Sequence, residues 1–222
     1  MGNVCSTTQE TATEQAETPK VLLEKTYKGV TFENARGDIC EEEVDALLNA
    51  ANYQLSHKTG IANSFVNKGG PLIQEESDKI VEEHEEGLEL GTAHVTSAGN
   101  LKAKHIIHVV CPVWMGGAND EEIKLGECVI NALKKADELK LTKLAVPSLS
   151  SGAFGFPRDI CARILVSKCM EYFDKNENSS VKLIKFVNTD TPTVNALGRA
   201  LTSLIQDEGQ VGEISTEKER TF

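Results

Sequence analysis

Apolar residues alternate along the chain between short continuous runs and longer stretches with helical spacing. Short runs predict strands at 30–32, 44–50, 93–97, 104–110, 143–147 and 181–187. Helical spacing predicts helices over 62–84, 121–139 and 158–173, the first divided at Gly69-Gly70-Pro71. Thr191 is predicted to cap a last helix that has Pro192 in its first position. The alternation predicts βαβ units and a largely parallel sheet covered on both faces.

In such sheets ligands bind where the strands end at their carboxyl termini. The loop after 143–147 reads P-S-L-S-S-G-A-F-G-F-P and leads into a helix. Gly152 and Gly155 permit backbone angles that turn several N–H groups inward, and the following helix terminus adds partial positive charge. This arrangement suits a diphosphate, and Phe154 offers a flat face for a ribose or base. The alternative is an ordinary tight βα turn with a proline cap.

Two other strand ends carry polar candidates. Asn52 follows the 44–50 run, and its amide can both donate to and accept from a ligand hydroxyl. Asn49 is better explained as a cap of the local turn. Asp38 follows the first strand, where its carboxylate could accept a hydrogen bond from an adenine amino group, although an Asp after a Gly is usually a turn residue.

Composition narrows the classes of function. The chain has 222 residues, is 40% hydrophobic, and carries a net charge of -11. We expect one domain at 19–206 that is monomeric and does not bind nucleic acid directly, because an acidic surface repels phosphate backbones. An anion site built from backbone N–H groups remains compatible with this charge.

Cysteines and histidines suggest neither a disulfide framework nor a metal site. The six cysteines are scattered without a C-x-x-C pair, and no signal peptide is present, so we expect an intracellular protein with reduced thiols. His105 and His108 lie three apart on a predicted strand and therefore face opposite sides. No metal or cofactor is predicted, and no apolar run of 18 residues is present to span a membrane.

The N-terminus reads M-G-N-V-C-S, which matches the pattern for myristoylation of Gly2. One acyl chain binds membranes only marginally, so Cys5 would supply the second anchor as a palmitoylation site. The alternative is a chance match. Residues 1–18 and the acidic stretch 207–222 are predicted to be disordered tails. We expect the protein at the cytoplasmic face of a membrane, or alternatively soluble in the cytoplasm or nucleus.

Taken in order, five segments of the chain resemble the macro domain family. They are 37–39 (G-D-I), 49–52 (N-A-A-N), 93–96 (A-H-V-T), 105–112 (H-I-I-H-V-V-C-P) and 150–157 (S-S-G-A-F-G-F-P). The resemblance covers about 26–205 and looks closest to the macro repeats of poly-ADP-ribose polymerases and to the macro-histone domain. It implies a three-layer α/β/α fold with a mixed, largely parallel sheet, and a cleft whose ligand is ADP-ribose.

The resemblance also implies the contacts with that ligand. Asp38 would hold the adenine amino group and Ile39 would flank the base, while Asn52 would face the distal ribose and carry any catalytic role. The diphosphate would lie between two walls, with Asn188 bordering the adenine pocket. These walls would be formed by Gly60 and Ile61 on one side and by Ser151, Gly152, Ala153, Phe154 and Gly155 on the other.

Two departures from the family pattern bear on function. Lys58 and Thr59 stand where the family has glycines, so a β-branched residue adds bulk beside the cleft while Lys58 adds positive charge. Hydrolytic members often place an Asp where this chain has Ala62. We therefore expect a module that binds free or protein-linked ADP-ribose. The alternatives are a macro-type hydrolase that removes ADP-ribose from proteins or deacetylates a related ester, and a membrane-tethered scaffold with a vestigial cleft.

Overall fold

A computed structural model describes residues 19–84 and 86–206 of the chain. The two predicted tails, including Gly2 and Cys5, lie outside the described residues. Strands and helices alternate through the described part after an initial hairpin. The strands are β1 Lys20–Tyr27, β2 Val30–Arg36, β3 Ala46–Ala51, β4 Ala93–Ser97, β5 His105–Val110, β6 Lys143–Val146 and β7 Leu183–Asn188. The helices are α1 Gly60–Gly69, α2 Leu72–Glu82, α3 Glu121–Glu138, α4 Arg158–Lys175 and α5 Thr191–Leu204.

The seven strands form one sheet in the order β1-β2-β7-β6-β3-β5-β4. Its five central strands are parallel, and the edge strands β1 and β4 pair antiparallel with β2 and β5. The predicted mixed, largely parallel sheet is confirmed. Strand β1 was not predicted from the hydrophobic pattern, because an edge strand leaves most of its side chains exposed or half-buried.

Helices cover both faces of the sheet and complete the three predicted layers. On one face α3, α4 and α5 pack over Phe32 and Phe186, which are fully buried. On the other face Leu47 packs with Phe65 from α1 and Ile73 from α2. Burying each such side chain contributes about 1.5–3 kcal/mol to folding, so the two cores fix the sheet between the layers. Within the described residues, no helix is long and apolar enough to cross a membrane.

Two local predictions differ from the structure, and a third agrees with it. Asn49 lies inside β3 with no exposed surface, so the expectation that it caps a turn was wrong. The cap of α5 is Asp190, whose carboxylate accepts from the Thr193 N–H at 3.0 Å, and Thr191 is instead the first helical residue. The predicted break between α1 and α2 lies at Gly70, whose φ of 96° ends α1 in a conformation that favours glycine.

Candidate ligand-binding cleft

The parallel strands β2, β3, β6 and β7 end at the same edge of the sheet, and a cavity of about 290 Å³ opens there. Loops after β3, β6 and β7 enclose it. Its lining residues are Ala50, Ala51, Asn52, Ser56, Thr59, Gly60, Ile61, Ala62, Pro147, Ser148, Ser150, Ser151, Gly152, Ala153, Phe154, Asn188, Thr189 and Asp190. The structure thus brings together segments that are about 140 residues apart in the chain.

The first wall of the cleft is the loop from β3 to the start of α1. The Asn52 side chain holds this loop in shape, because its Oδ1 accepts from the N–H groups of Gln54 (3.1 Å) and Ser56 (3.0 Å). Its Nδ2 donates to the Ser56 carbonyl at 3.2 Å. The loop is also tied to α2, where Gln74 accepts from the His57 N–H and donates to the Leu55 carbonyl. Asn52 therefore lines the cavity and at the same time organises its wall.

Helix α1 begins at this wall and leaves donors available. A helix has no internal acceptor for its first N–H groups. Those of Gly60, Ile61 and Ala62 donate to no other group in the described part of the chain. Thr59, the residue before the helix, has φ −142° and ψ 161°, which is extended backbone that a β-branched residue adopts without strain. Its replacement of a glycine therefore requires no distortion of the loop.

The second wall is the loop between β6 and α4. Ser150 has φ 65°, an uncommon conformation for a residue with a side chain, and Gly155 has φ 76°. These angles shape a loop in which the N–H groups of Gly152, Ala153 and Phe154 donate to no acceptor among the described residues. The buried Ser150 hydroxyl has no hydrogen-bond partner among the described residues, and it lies near the Cys111 thiol.

The end of β7 closes the cleft beside the second wall. The Asn188 Oδ1 accepts from the Ser148 N–H at 3.0 Å, whereas its buried Nδ2 has no partner. Asp190 is the one charged side chain on the lining, and it pairs with Arg158 at 3.5 Å. No Lys or Arg of residues 19–84 or 86–206 lines the cavity. Lys58 is close to the first wall in sequence, but it is exposed and lies outside the lining. An anion in this cleft would therefore be bound by backbone N–H groups.

Asp38, Ile39 and Gly155 were predicted as ligand contacts but do not belong to the cavity lining. Asp38 follows β2, and its carboxylate accepts from the Cys40 N–H at 2.9 Å and from Lys68 Nζ at 2.8 Å. Burial opposes ionisation there, but these two bonds outweigh it and lower the pKa of Asp38. Ile39 is buried, and the Gly155 N–H donates to the Gly152 carbonyl at 3.0 Å within the second wall.

A buried polar layer supports the first wall from below. The His57 and His108 rings stack with centroids 4.8 Å apart. The Thr96 hydroxyl donates to the Ser97 carbonyl, so His108 donates from Nε2 to Thr96 and accepts at Nδ1 from the Asn49 amide. Burial lowers the pKa of His57 to about 4 and keeps His108 neutral. Both rings donate hydrogen bonds within the core, and neither lines the cavity.

Eight of the predicted ligand contacts line the cleft: Asn52, Gly60, Ile61, Ser151, Gly152, Ala153, Phe154 and Asn188. Sequence reasoning missed Ser56, Ser148, Ser150, Thr189 and Asp190. The position of Ser148, Thr189 and Asp190 directly after predicted parallel strands was a signal that could have found them. No cluster of acidic, histidine or cysteine side chains within the described residues could hold a metal ion.

The segments that form the cleft recur in known proteins. The Macro domain family model matches residues 48–165. A macro domain-containing protein of Caldanaerobacter subterraneus is 43% identical over 152 residues, covering 68% of this chain and 85% of that protein. A protein of Thermotoga maritima is 44% identical over 174 residues, covering 78% of this chain but 29% of that protein.

Solved structures show the same architecture. The Oceanobacillus iheyensis macrodomain with ADP superposes with a TM-score of 0.78 at 26% identity, covering 85% of this chain and 98% of that one. A mutant of the same macrodomain with ADPR gives a TM-score of 0.76 at 26% identity, covering 82% of this chain and 97% of that one.

Proposed function

Because the chain belongs to the macro domain family, we propose that its cleft binds ADP-ribose, either free or linked to protein. One observation carries the proposal: six unpartnered backbone N–H groups line the cavity, three from each wall, and no basic side chain accompanies them. Such groups at a helix N-terminus and in a glycine-containing loop bind a diphosphate without requiring a basic surface. This matches a protein whose net charge is -11.

The solved relatives support the same ligand. The Oceanobacillus iheyensis macrodomain is described with ADP, and its mutant with ADPR. The match to the family covers both walls of the cleft, from Asn52 to Phe154. In this proposal the diphosphate lies between the α1 N-terminus and the Ser151–Phe154 segment, and Asn188 offers its free Nδ2 to the ligand. The role of Asp38 and Ile39 at the base rests on the family resemblance, because both lie outside the cavity lining and Lys68 already bonds the Asp38 carboxylate.

Gly152 can be replaced by a residue with a side chain without a clash, because a Cβ there would meet nothing within 4 Å. Gly152→Glu places a carboxylate beside the phosphate donors, so we expect it to abolish binding. Calorimetric titration of the full chain with ADP-ribose should give low micromolar affinity for the wild type, about −7 to −8 kcal/mol.

Gly152→Ala is the matched control, because it makes the same backbone change without the charge, and it should retain binding. Absence of heat and of thermal stabilisation for the wild type at millimolar ADP-ribose would contradict the proposal. The protein would then be studied as a scaffold whose cleft is vestigial.

We propose a binding module in preference to a hydrolase because of Ala62. Its methyl group lines the cavity where hydrolytic macro domains often have a carboxylate, and it cannot activate water. The Asn52 amide is already engaged by the first wall. Incubation with a mono-ADP-ribosylated protein should release no ADP-ribose above the buffer rate. Release by the wild type, lost in Asn52→Ala, would support the hydrolase instead.

We further propose that Gly2 and Cys5 are acylated and hold the domain at the cytoplasmic face of a membrane, where its partners would be ADP-ribosylated proteins. The support is the M-G-N-V-C-S sequence and the need for two lipid signals. Wild-type protein should incorporate labelled myristate and fractionate with membranes, whereas Gly2→Ala should do neither. A wild type found only in the soluble fraction would contradict the anchor and leave the ADP-ribose proposal untouched.

A further inference from the structure

The loop between β5 and α3 is folded around one buried carboxylate, Glu121, which is 3% exposed. Its Oε1 accepts from the N–H groups of Met115 (2.9 Å) and Gly117 (3.3 Å). Its Oε2 accepts from the Asn119 N–H at 2.7 Å. Burial opposes ionisation, but the backbone N–H of Glu121 itself and these three bonds outweigh it and lower the pKa of Glu121 to about 2. The charge is therefore present throughout the physiological pH range and holds the loop at three points.

The loop held by Glu121 packs against the second wall of the cleft. Trp114 lies at the start of this loop, and its backbone N–H donates to the Phe154 carbonyl at 2.7 Å. The Trp114 ring packs on Phe156 with ring centroids 4.8 Å apart. On the loop side, a Cβ at Gly117 would lie 2.9 Å from Trp114 Cη2, so the ring fits closely against this glycine. The indole is thus confined between the loop and the wall.

We propose that Glu121 is a positioning residue for ADP-ribose binding, acting through Trp114 to hold the Phe154–Phe156 end of the second wall. This inference rests on the function proposed above. Glu121 does not line the cavity, and Trp114 does not either. The Glu121 carboxylate holds the backbone of Met115 and Gly117, and these residues keep the Trp114 indole in place. The indole in turn supports the segment whose Phe154 N–H has no partner and can donate to a ligand. A wall held in its binding geometry loses less entropy when the ligand arrives.

The chain offers a matched control on the same helix. Glu122 is the next residue, and its half-exposed carboxylate only pairs with Arg163 at 3.6 Å. Glu121→Gln retains the size of the side chain but removes its charge and places an N–H₂ against backbone donors. Glu122→Gln makes the same chemical change where no loop is held. Gly117→Ala displaces the indole directly and serves as a second variant if Glu121→Gln does not fold.

The experiment uses the full chain and three measurements at pH 7. Trp114 is the only tryptophan of the protein, so intrinsic emission reports its surroundings alone. Hydrogen exchange reports the opening of the hydrogen-bonded N–H groups of Ser151, Gly155 and Phe156 in the second wall, and calorimetry gives the Kd for ADP-ribose. For Glu121→Gln and Gly117→Ala we expect red-shifted emission, faster exchange at Ser151, Gly155 and Phe156, and a Kd raised by about tenfold. Glu122→Gln should match the wild type in all three.

The outcomes separate this inference from the proposed function. If the wild type binds no ADP-ribose, the proposed function fails, and the wall-positioning role is still decided by emission and exchange without ligand. A Glu121→Gln variant that lowers only the melting temperature, with wild-type emission, exchange and Kd, would overturn the inference. Equal effects of Glu121→Gln and Glu122→Gln would overturn it as well, because they would reflect helix α3 as a whole.

Discussion

At the scale of single residues, buried imidazoles beneath the first wall make stability depend on pH. His57 donates from Nε2 to Ser77, whose hydroxyl in turn donates to the Ile73 carbonyl, so the ring is held neutral. Burial lowers its pKa from 6.5 to about 4 in the folded protein. His57 therefore becomes protonated near pH 6.5 in the unfolded chain but only near pH 4 in the folded protein. Folding stability must fall as the pH drops through that window.

We expect the free energy of unfolding to decrease by about 2 kcal/mol between pH 7 and pH 5 through His57 alone. His94 and His108 have lowered pKa values and act in the same direction. Urea denaturation at the two pH values measures the change. His57→Gln should reduce this difference, because a glutamine does not titrate. An equal difference in the variant would show that other groups cause the pH dependence.

At the scale of elements, the connection from β4 to β5 packs against the end of α1. Gly99 has φ 57°, and a Cβ there would overlap the carbonyl of Gly69, the last residue of α1. That carbonyl accepts from the Asn100 N–H at 2.8 Å. A side chain at Gly99 would therefore separate two elements that meet by backbone contact. Since α1 also carries the first wall of the cleft, this contact positions half of the site.

Gly99→Ala should destabilise the protein by about 2–4 kcal/mol, because the clash adds to the strain of the left-handed conformation. Gly29→Ala is the control: it has a φ of 75° and open space around it, so it carries the strain alone and should cost about 1 kcal/mol. Chemical denaturation compares the two. Similar losses would indicate that α1 shifts to accommodate the new methyl group.

At the scale of the whole molecule, the net negative charge of the protein opposes the binding of an anion at the proposed site. A net charge of -11 repels a diphosphate at long range, and the neutral N–H groups of the cleft attract it only on contact. Sites lined by Lys or Arg lose affinity when salt screens the attraction. Here the screened interaction is a repulsion, so the effect of salt should have the opposite sign.

We expect ADP-ribose affinity to stay constant or to rise by about twofold when ionic strength increases from about 0.01 M to 0.15 M. Calorimetry in two NaCl concentrations at one pH tests this. A marked loss of affinity with salt would mean that a basic side chain, with Lys58 as the nearest candidate in sequence, contacts the phosphates. Lys58→Ala would then remove the salt dependence.

Local pattern was enough to predict most elements, Asn52 and the second wall of the cleft, whereas the part of the first wall at Gly60 and Ile61 was predicted from the resemblance to the macro domain family. Continuous apolar runs mark the central strands because both faces of a parallel sheet are buried. Strand β1 was not predicted, because an edge strand has no such run. The glycine-containing loop before α4 and the Asn52 segment were found because backbone donors at strand ends need particular residue types. The residues named there are neighbours in sequence, so their spacing carried the information.

Tertiary structure decided how distant residues act on one another. The stacking of His57 on His108, the pairing of Asp38 with Lys68, and the packing of Trp114 on Phe156 join positions 30 to 51 residues apart. Glu121 became a loop-holding carboxylate only because folding buried it beside three N–H groups. In the sequence it is one acidic residue of many, since the energy of a charge depends on the dielectric surroundings and donors that the fold brings to it.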